Sequence, residues 1–150
     1  MGNLGGANWL KVGIMAVVSG LMLLILSSQA KPLNALLLGE SEARHLGIDV
    51  QKVKRKLIFL TALGVGVSVA LAGLIGFIGL IIPHIVRLLI GPDHRWLLPT
   101  TALAGASLLM IADSIARVVV LPAELPTGIL TALLGAPFFI ALLIRQRGEF

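Results

Sequence analysis

Four apolar runs dominate this chain and leave few folds open to it. Trp9–Gln29, Leu57–Ile90, Trp96–Ala116 and Thr127–Ile144 contain between them only Lys11, Arg87 and Asp113 as formal charges. A helix needs about 20 mostly apolar residues to cross the hydrocarbon core of a bilayer, and each run is close to that length or beyond it. In water such runs would have to be buried in a far larger protein. In lipid they satisfy their own backbone hydrogen bonds as helices. The expected fold is therefore all-α: a polytopic transmembrane bundle.

Composition agrees. Of the 150 residues, 57% are hydrophobic and 13% are charged, against roughly a quarter charged in soluble domains, and the mean hydropathy is +1.02. No cysteine is present, which excludes disulfides, thiolate chemistry and Cys-ligated metals. The net charge of +5 does not point to nucleic acid, because the basic residues cluster at the ends of the apolar runs. That is a topology pattern and not a phosphate-binding face. The N-terminal Met1-Gly-Asn-Leu-Gly-Gly6 lacks the basic region of a cleavable signal, so the first run is expected to stay in the membrane.

Leu57–Ile90 is too long for one ordinary span. As a single helix its 34 residues would extend about 51 Å. Gly73-Leu-Ile-Gly-Phe-Ile-Gly79 offers a break, and Pro83 weakens the helix again. Charge decides between one crossing and two. With a hairpin, Lys31, Arg44, Lys52, Lys54, Arg55, Lys56, Arg87, Arg95, Arg145 and Arg147 fall on one side and Lys11 and Arg117 on the other, ten against two. With a single crossing the split is seven against five. The positive-inside rule favours the hairpin. About five spans result, the one over Gly76–Ile90 short, with residues 31–56, 91–95 and the C-terminus cytoplasmic. An odd number of spans beginning outside reads as the tail of a longer chain.

Small residues at four-residue spacing, Gly64, Ser68, Ala72 and Gly76, are expected on one helix face. There they would let another helix approach closely; a pore-lining role is the alternative. Pro99 is expected in the first turn of its helix, where a missing N–H is tolerated. Pro137 falls in the middle of the last span.

Residues 31–56 carry signals of order. Glu40 and Arg44 are an (i, i+4) pair in the favourable direction. Gly47 sits where a helix C-cap would be, and Asp49 is a good N-cap for the next helix. The apolar Leu36–Leu38 beside them needs something to pack against. The bland alternative is a solvated loop whose charges only set topology.

The string Leu36-Leu-Leu-Gly-Glu-Ser-Glu-Ala-Arg-His-Leu-Gly-Ile48 resembles the cytoplasmic coupling loop of the FecCD-type permeases. These are the transmembrane subunits of ABC importers for iron–siderophore complexes, haem and cobalamin. Further likenesses follow in order: Val69–Gly73, Gly76–Arg87, Asp93-His-Arg95, Leu103–Ser107, Ala112–Arg117, Glu124–Gly128 and Leu134–Phe138. The likeness runs from about residue 30 to the end and is looser before it. Family members are about twice this long, so the resemblance implies the C-terminal half of a permease, a partial transmembrane domain over 1–150.

It also implies partners: two copies of an ABC ATPase subunit, a second permease copy, and an extracytoplasmic solute-binding protein, in the cytoplasmic membrane of a bacterium or archaeon. Gly39–Gly47 resembles the two short coupling helices that sit in a groove of the ATPase. Gly39, Glu40, Ala43, Arg44, Leu46 and Gly47 are the candidate coupling residues, with Glu40, Ala43, Leu46 and Gly47 expected at the contact. Arg117 resembles the outer basic residue that pairs with an acidic group of the binding protein, held by Asp113. The alternative is an intrahelical pair that merely neutralises charge at the membrane edge.

No catalytic group is expected in the chain itself. There is no Gly-x-x-x-x-Gly-Lys-[Ser/Thr] sequence, so ATP and Mg²⁺ would belong to the partner ATPase. His45, His84 and His94 match no ligand spacing, and neither a metal nor a bound cofactor is expected. His84, beside Pro83, is expected to hydrogen-bond freed backbone. Two other functions fit a helical membrane protein. An ion-coupled secondary transporter would use the break near Gly76 as its site but needs carboxylates deep in the membrane, where Asp113 is the only candidate. A non-transporting scaffold is the other.

Overall fold

A computed structural model describes residues 6–119 and 127–147. Among them are seven helices and no strand: α1 (Trp9–Ser28), α2 (Ala30–Leu36), α3 (Glu40–His45), α4 (Val50–Ala72), α5 (Ile78–Ile90), α6 (His94–Val119) and α7 (Thr127–Arg147). Helices α1, α4 and α6 are long and apolar enough to cross a membrane, and α5 is a shorter apolar helix. At 13 residues α5 extends about 20 Å, well short of a bilayer core of about 30 Å. The short span was legible in the sequence.

The long apolar run breaks within the predicted glycine segment. Helix α4 stops at Gly73, whose φ of 75° is natural only for a residue without Cβ, and α5 begins at Ile78. Gly76 was expected to continue the small-residue face of α4. It lies in the non-helical connection instead, because Gly73 ends the helix one turn earlier. The two arms also do not form a packed hairpin. Helix α4 lies against α1, whereas α5 packs on α6 and α7.

Helix α6 is the hub of the bundle, touching α1, α2, α5 and α7. Ile82 and Val86 of α5 and Leu97 of α6 form a buried cluster, joined by Ile78, Ala104 and Leu108. Pro99 is not in the first turn of α6. The helix starts at His94, so the proline falls in the second turn and removes the bond that its N–H would give to the Arg95 carbonyl.

Helix α7 crosses the break in the long run at close quarters. A methyl group on Gly135 would collide with the Phe77 side chain, so only glycine lets α7 approach there. His84 contributes a second α5–α7 contact, its ring meeting Phe138 edge-on at 6.2 Å between centroids and 71° between planes. Among the described residues this ring contact takes the place of the expected bond to freed backbone.

Candidate coupling interface

Helices α2 and α3 and the start of α4 fold into a small wedge at one end of the bundle. Its interior is Ala35, Ala43 and Val50, with Leu36 and Ile48 against them. Gly39, at φ 108°, turns the chain between the two short helices. Helix α3 then ends in a Schellman motif: the Gly47 N–H donates to the Arg44 carbonyl at 2.9 Å and the Ile48 N–H to the Ala43 carbonyl at 3.1 Å. Gly47 takes φ 80° there, as this cap requires. Asp49 opens α4, its side chain accepting the Lys52 N–H at 3.1 Å. The sequence placed both short helices inside Gly39–Gly47. That segment holds only α3, and the other short helix, α2, precedes Gly39.

Charge pins the wedge from outside. Glu40 accepts a hydrogen bond from the Lys54 ammonium, and Arg44 stands 3.9 Å away on the other side. The bond from Lys54, reinforced by its charge and then by Arg44, holds the Glu40 carboxyl below its ordinary value of 4.5. Backbone N–H and ammonium of Lys52 hold Asp49 below 3.8. Lys54 was not singled out from the sequence, because fourteen residues separate it from Glu40 and no helical spacing links them.

The six predicted coupling residues divide. Ala43 is fully enclosed, at 0% exposure, and cannot meet a partner; it is a core residue of the wedge, a correction to the sequence-based expectation. Glu40, Arg44 and Gly47 lie at the surface and Gly39 at the turn. Leu46 is 64% exposed and Leu38 68% exposed. Both leucines stand at the surface of the folded, ion-paired wedge. Burying each would contribute about 1.5–3 kcal/mol.

A second group went unpredicted. Asn34 of α2 bonds to Asp93 and His94 at the start of α6. The 31–56 and 91–95 segments therefore lie at the same end of the bundle, as two crossings between them require and one crossing forbids. Asp93 is held below its ordinary 3.8, first by the Arg95 backbone N–H and then by the Asn34 amide. Asp93 and His94 stood in a recognisable short motif, but nothing in the sequence marks Asn34 as their partner.

At the opposite end of α6, Arg117 Nε donates to Asp113 Oδ2 at 2.7 Å. Residues 120–126, including the first part of the Glu124–Gly128 motif, lie outside the described residues. Between α1 and α4, Gly64 faces Met22 and the Ser68 hydroxyl donates to the Gly64 carbonyl at 2.8 Å. A largely apolar cavity of about 670 Å³ opens beside Ser68 and Ala72, bounded by α1, the connection after α4 and the start of α5. Among the described residues no three His, Cys, Asp or Glu side chains gather as a metal site would require.

The profile of the FecCD transport family matches residues 1–145. The chain belongs to the FecCD transport family. The match takes in the first thirty residues too, where the sequence likeness had looked looser. This FecCD chain is 50% identical over 152 residues to the hemin transport system permease protein of Yersinia pestis, covering 99% of the chain and 45% of that protein. It is 53% identical over 149 residues to the vitamin B12 import system permease protein of Klebsiella pneumoniae, again covering 99% of the chain and 45% of the relative. The FecCD chain thus spans a little under half the length of the curated relatives it matches. A solved inward-facing conformation of a metal-chelate type ABC transporter superposes with a TM-score of 0.88 at 42% identity, over 96% of this chain and 46% of the other. With family membership and three helices long enough to span a bilayer, it is a multi-pass membrane protein.

Proposed function

We propose that this chain supplies the coupling part of the transmembrane subunit of an ATP-driven importer for an iron–siderophore, haem or cobalamin-type substrate. One observation carries the reading beyond family membership. The α2–α3 wedge has its own buried core yet turns Leu38 and Leu46 outward, beyond the ends of the spans. A wedge of this kind moves as a unit, so it can receive a displacement from an ATPase and pass it on. The relatives named for hemin and vitamin B12 transport support the substrate class.

On this reading two ATPase subunits use ATP and Mg²⁺ beneath two permease copies, and a solute-binding protein docks outside, where Arg117 offers its guanidinium. The wedge and the C-terminus face the cytoplasm, and the membrane is the cytoplasmic one of a bacterium or archaeon. The chain performs no chemistry of its own.

The test is capture of a P-loop ATPase by this chain, co-expressed with the rest of its permease and extracted in detergent. Leu46→Lys is the sharper variant, because Glu40→Lys would also set two ammonium groups together at Lys54. Leu46→Lys is expected to abolish capture while membrane insertion is unchanged. Full capture by that variant would remove the wedge from the interface.

A further inference from the structure

Asn34 joins parts of the chain 59 and 60 residues apart. Its amide oxygen accepts the His94 backbone N–H at 2.8 Å and lies 2.8 Å from the Nδ1 of the same residue. Its amide nitrogen donates to Asp93 Oδ1 at 2.6 Å. A backbone N–H can only donate and a carboxylate can only accept, so the two partners agree on which end of the amide is oxygen. Asp93 Oδ1 also accepts the Arg95 N–H at 3.0 Å. The first turn of α6 is thus capped twice, once by Asp93 at its own N-terminus and once from α2.

That turn needs outside support. Pro99 deprives the Arg95 carbonyl of its helical partner, which leaves the turn joined to the rest of α6 by one bond fewer. Helix α5 splints the gap, since Ile82 and Val86 pack on Leu97 before the proline and the same cluster takes in Ala104 and Leu108 after it. From the clasp, α6 runs 26 residues, about 39 Å, and carries the Asp113–Arg117 pair near its far end. Helix α4, the wedge's covalent continuation, does not approach α5, α6 or α7 closely and reaches α6 only by way of α1, whereas α2 meets α6 directly.

We propose that the Asn34–Asp93–His94 clasp is the joint through which a displacement of the α2–α3 wedge reaches α6, and through α6 the outer face around Arg117. This rests on the wedge being the ATPase contact. Asn34 is a positioning residue: it acts by holding α6 to the element that meets the ATPase.

The experiment exchanges acid and amide across the clasp. Asn34→Asp sets two carboxylates against each other. In the double variant Asn34→Asp/Asp93→Asn, the new carboxylate still accepts the His94 N–H and the new amide nitrogen donates to it, which restores the bond between α2 and α6. The Arg95 N–H, which shares Asp93 Oδ1 with Asn34 in the wild type, gives up that acceptor. The assembled transporter in lipid vesicles is assayed for the ratio of ATPase rates with and without loaded binding protein outside. The ratio is expected to fall severalfold in Asn34→Asp and to recover in the double variant. A wild-type ratio in Asn34→Asp, or no recovery on exchange, overturns the proposal. The same vesicles, carrying spin labels at positions 31 and 95 of this cysteine-free chain, report the clasp itself. The distance distribution is expected to broaden in Asn34→Asp and narrow again in the double variant, and an unchanged distribution in both also overturns the joint. If the wild type assembles with no ATPase, the coupling reading fails instead, and the spin labels still show whether the clasp forms.

Discussion

Phe77 and Gly135 show how a single position shapes the middle of the bundle. Phe77 is the one non-glycine residue at positive φ, 67°, among those described, a conformation that costs an L-residue about 1–2 kcal/mol. Its ring lies against Gly135 of α7, so the strained backbone is held by packing from another helix. Gly135→Ala forces that contact apart and is expected to destabilise the protein by about 1–3 kcal/mol, the usual cost of overpacking. Thermal unfolding in detergent checks this, and an unchanged midpoint would mean α7 does not depend on the close approach. Gly135 was visible in the sequence only as part of the Leu134–Phe138 motif; the Phe77 conformation was not visible at all, since phenylalanine rarely adopts it. Ala43 teaches the complementary lesson. It lies among exposed residues on a six-residue helix, and a helix that short is too brief for periodicity to reveal an inner face. Sequence reasoning therefore placed it at the partner contact, and the structure places it inside.

Among the elements, the wedge was the most legible and the connections the least. Gly47 and Asp49 act as the caps their types suggested, because capping is local chemistry. The Glu40–Lys54 bond was missed because it needs the fold to exist first. The carboxylates of the wedge and of its clasp to α6 also set its response to acid. Glu40, Asp49 and Asp93 all sit below their ordinary values. A depressed carboxylate contributes stability above its unfolded value, and that contribution is lost as pH falls through the lower folded value. The wedge is therefore expected to keep its form from pH 8 to 5 and to loosen only below about pH 4. A spin label at Leu38→Cys reads this as a rise in mobility in acid, and a rise already between pH 8 and 5 would contradict the assignment of these partners. Helix α6 is a case where a rule was applied at the wrong boundary. Pro99 fits a first turn by type, but Asp93 caps the helix a turn earlier than the apolar run begins.

For the whole molecule, the spans were readable, as was the meeting of segments 31–56 and 91–95 at one end of the bundle, and their neighbours were not. Length and charge bias locate crossings because the bilayer imposes both. They do not say which helix packs on which, since a face turned to lipid and a face turned to another helix are equally apolar. None of the residues in the apolar windows of α1 and α4 is buried, so their packing partners left no pattern to read. The separation of α4 from α5 and the choice of α6 as hub emerge only in three dimensions. So does the Asn34 clasp, the one polar contact that fastens the α2–α3 wedge to the α5–α6 side of the bundle among the described residues. The central claim is that this wedge meets an ATPase, and its most direct test uses the absence of cysteine. A photo-cross-linker attached at Leu46→Cys in the assembled membrane complex is expected to form an adduct with the ATPase, while Ala43→Cys, enclosed in the wedge, is expected to take up no label. An adduct only with lipid at position 46, or none with any ATPase, would contradict the account.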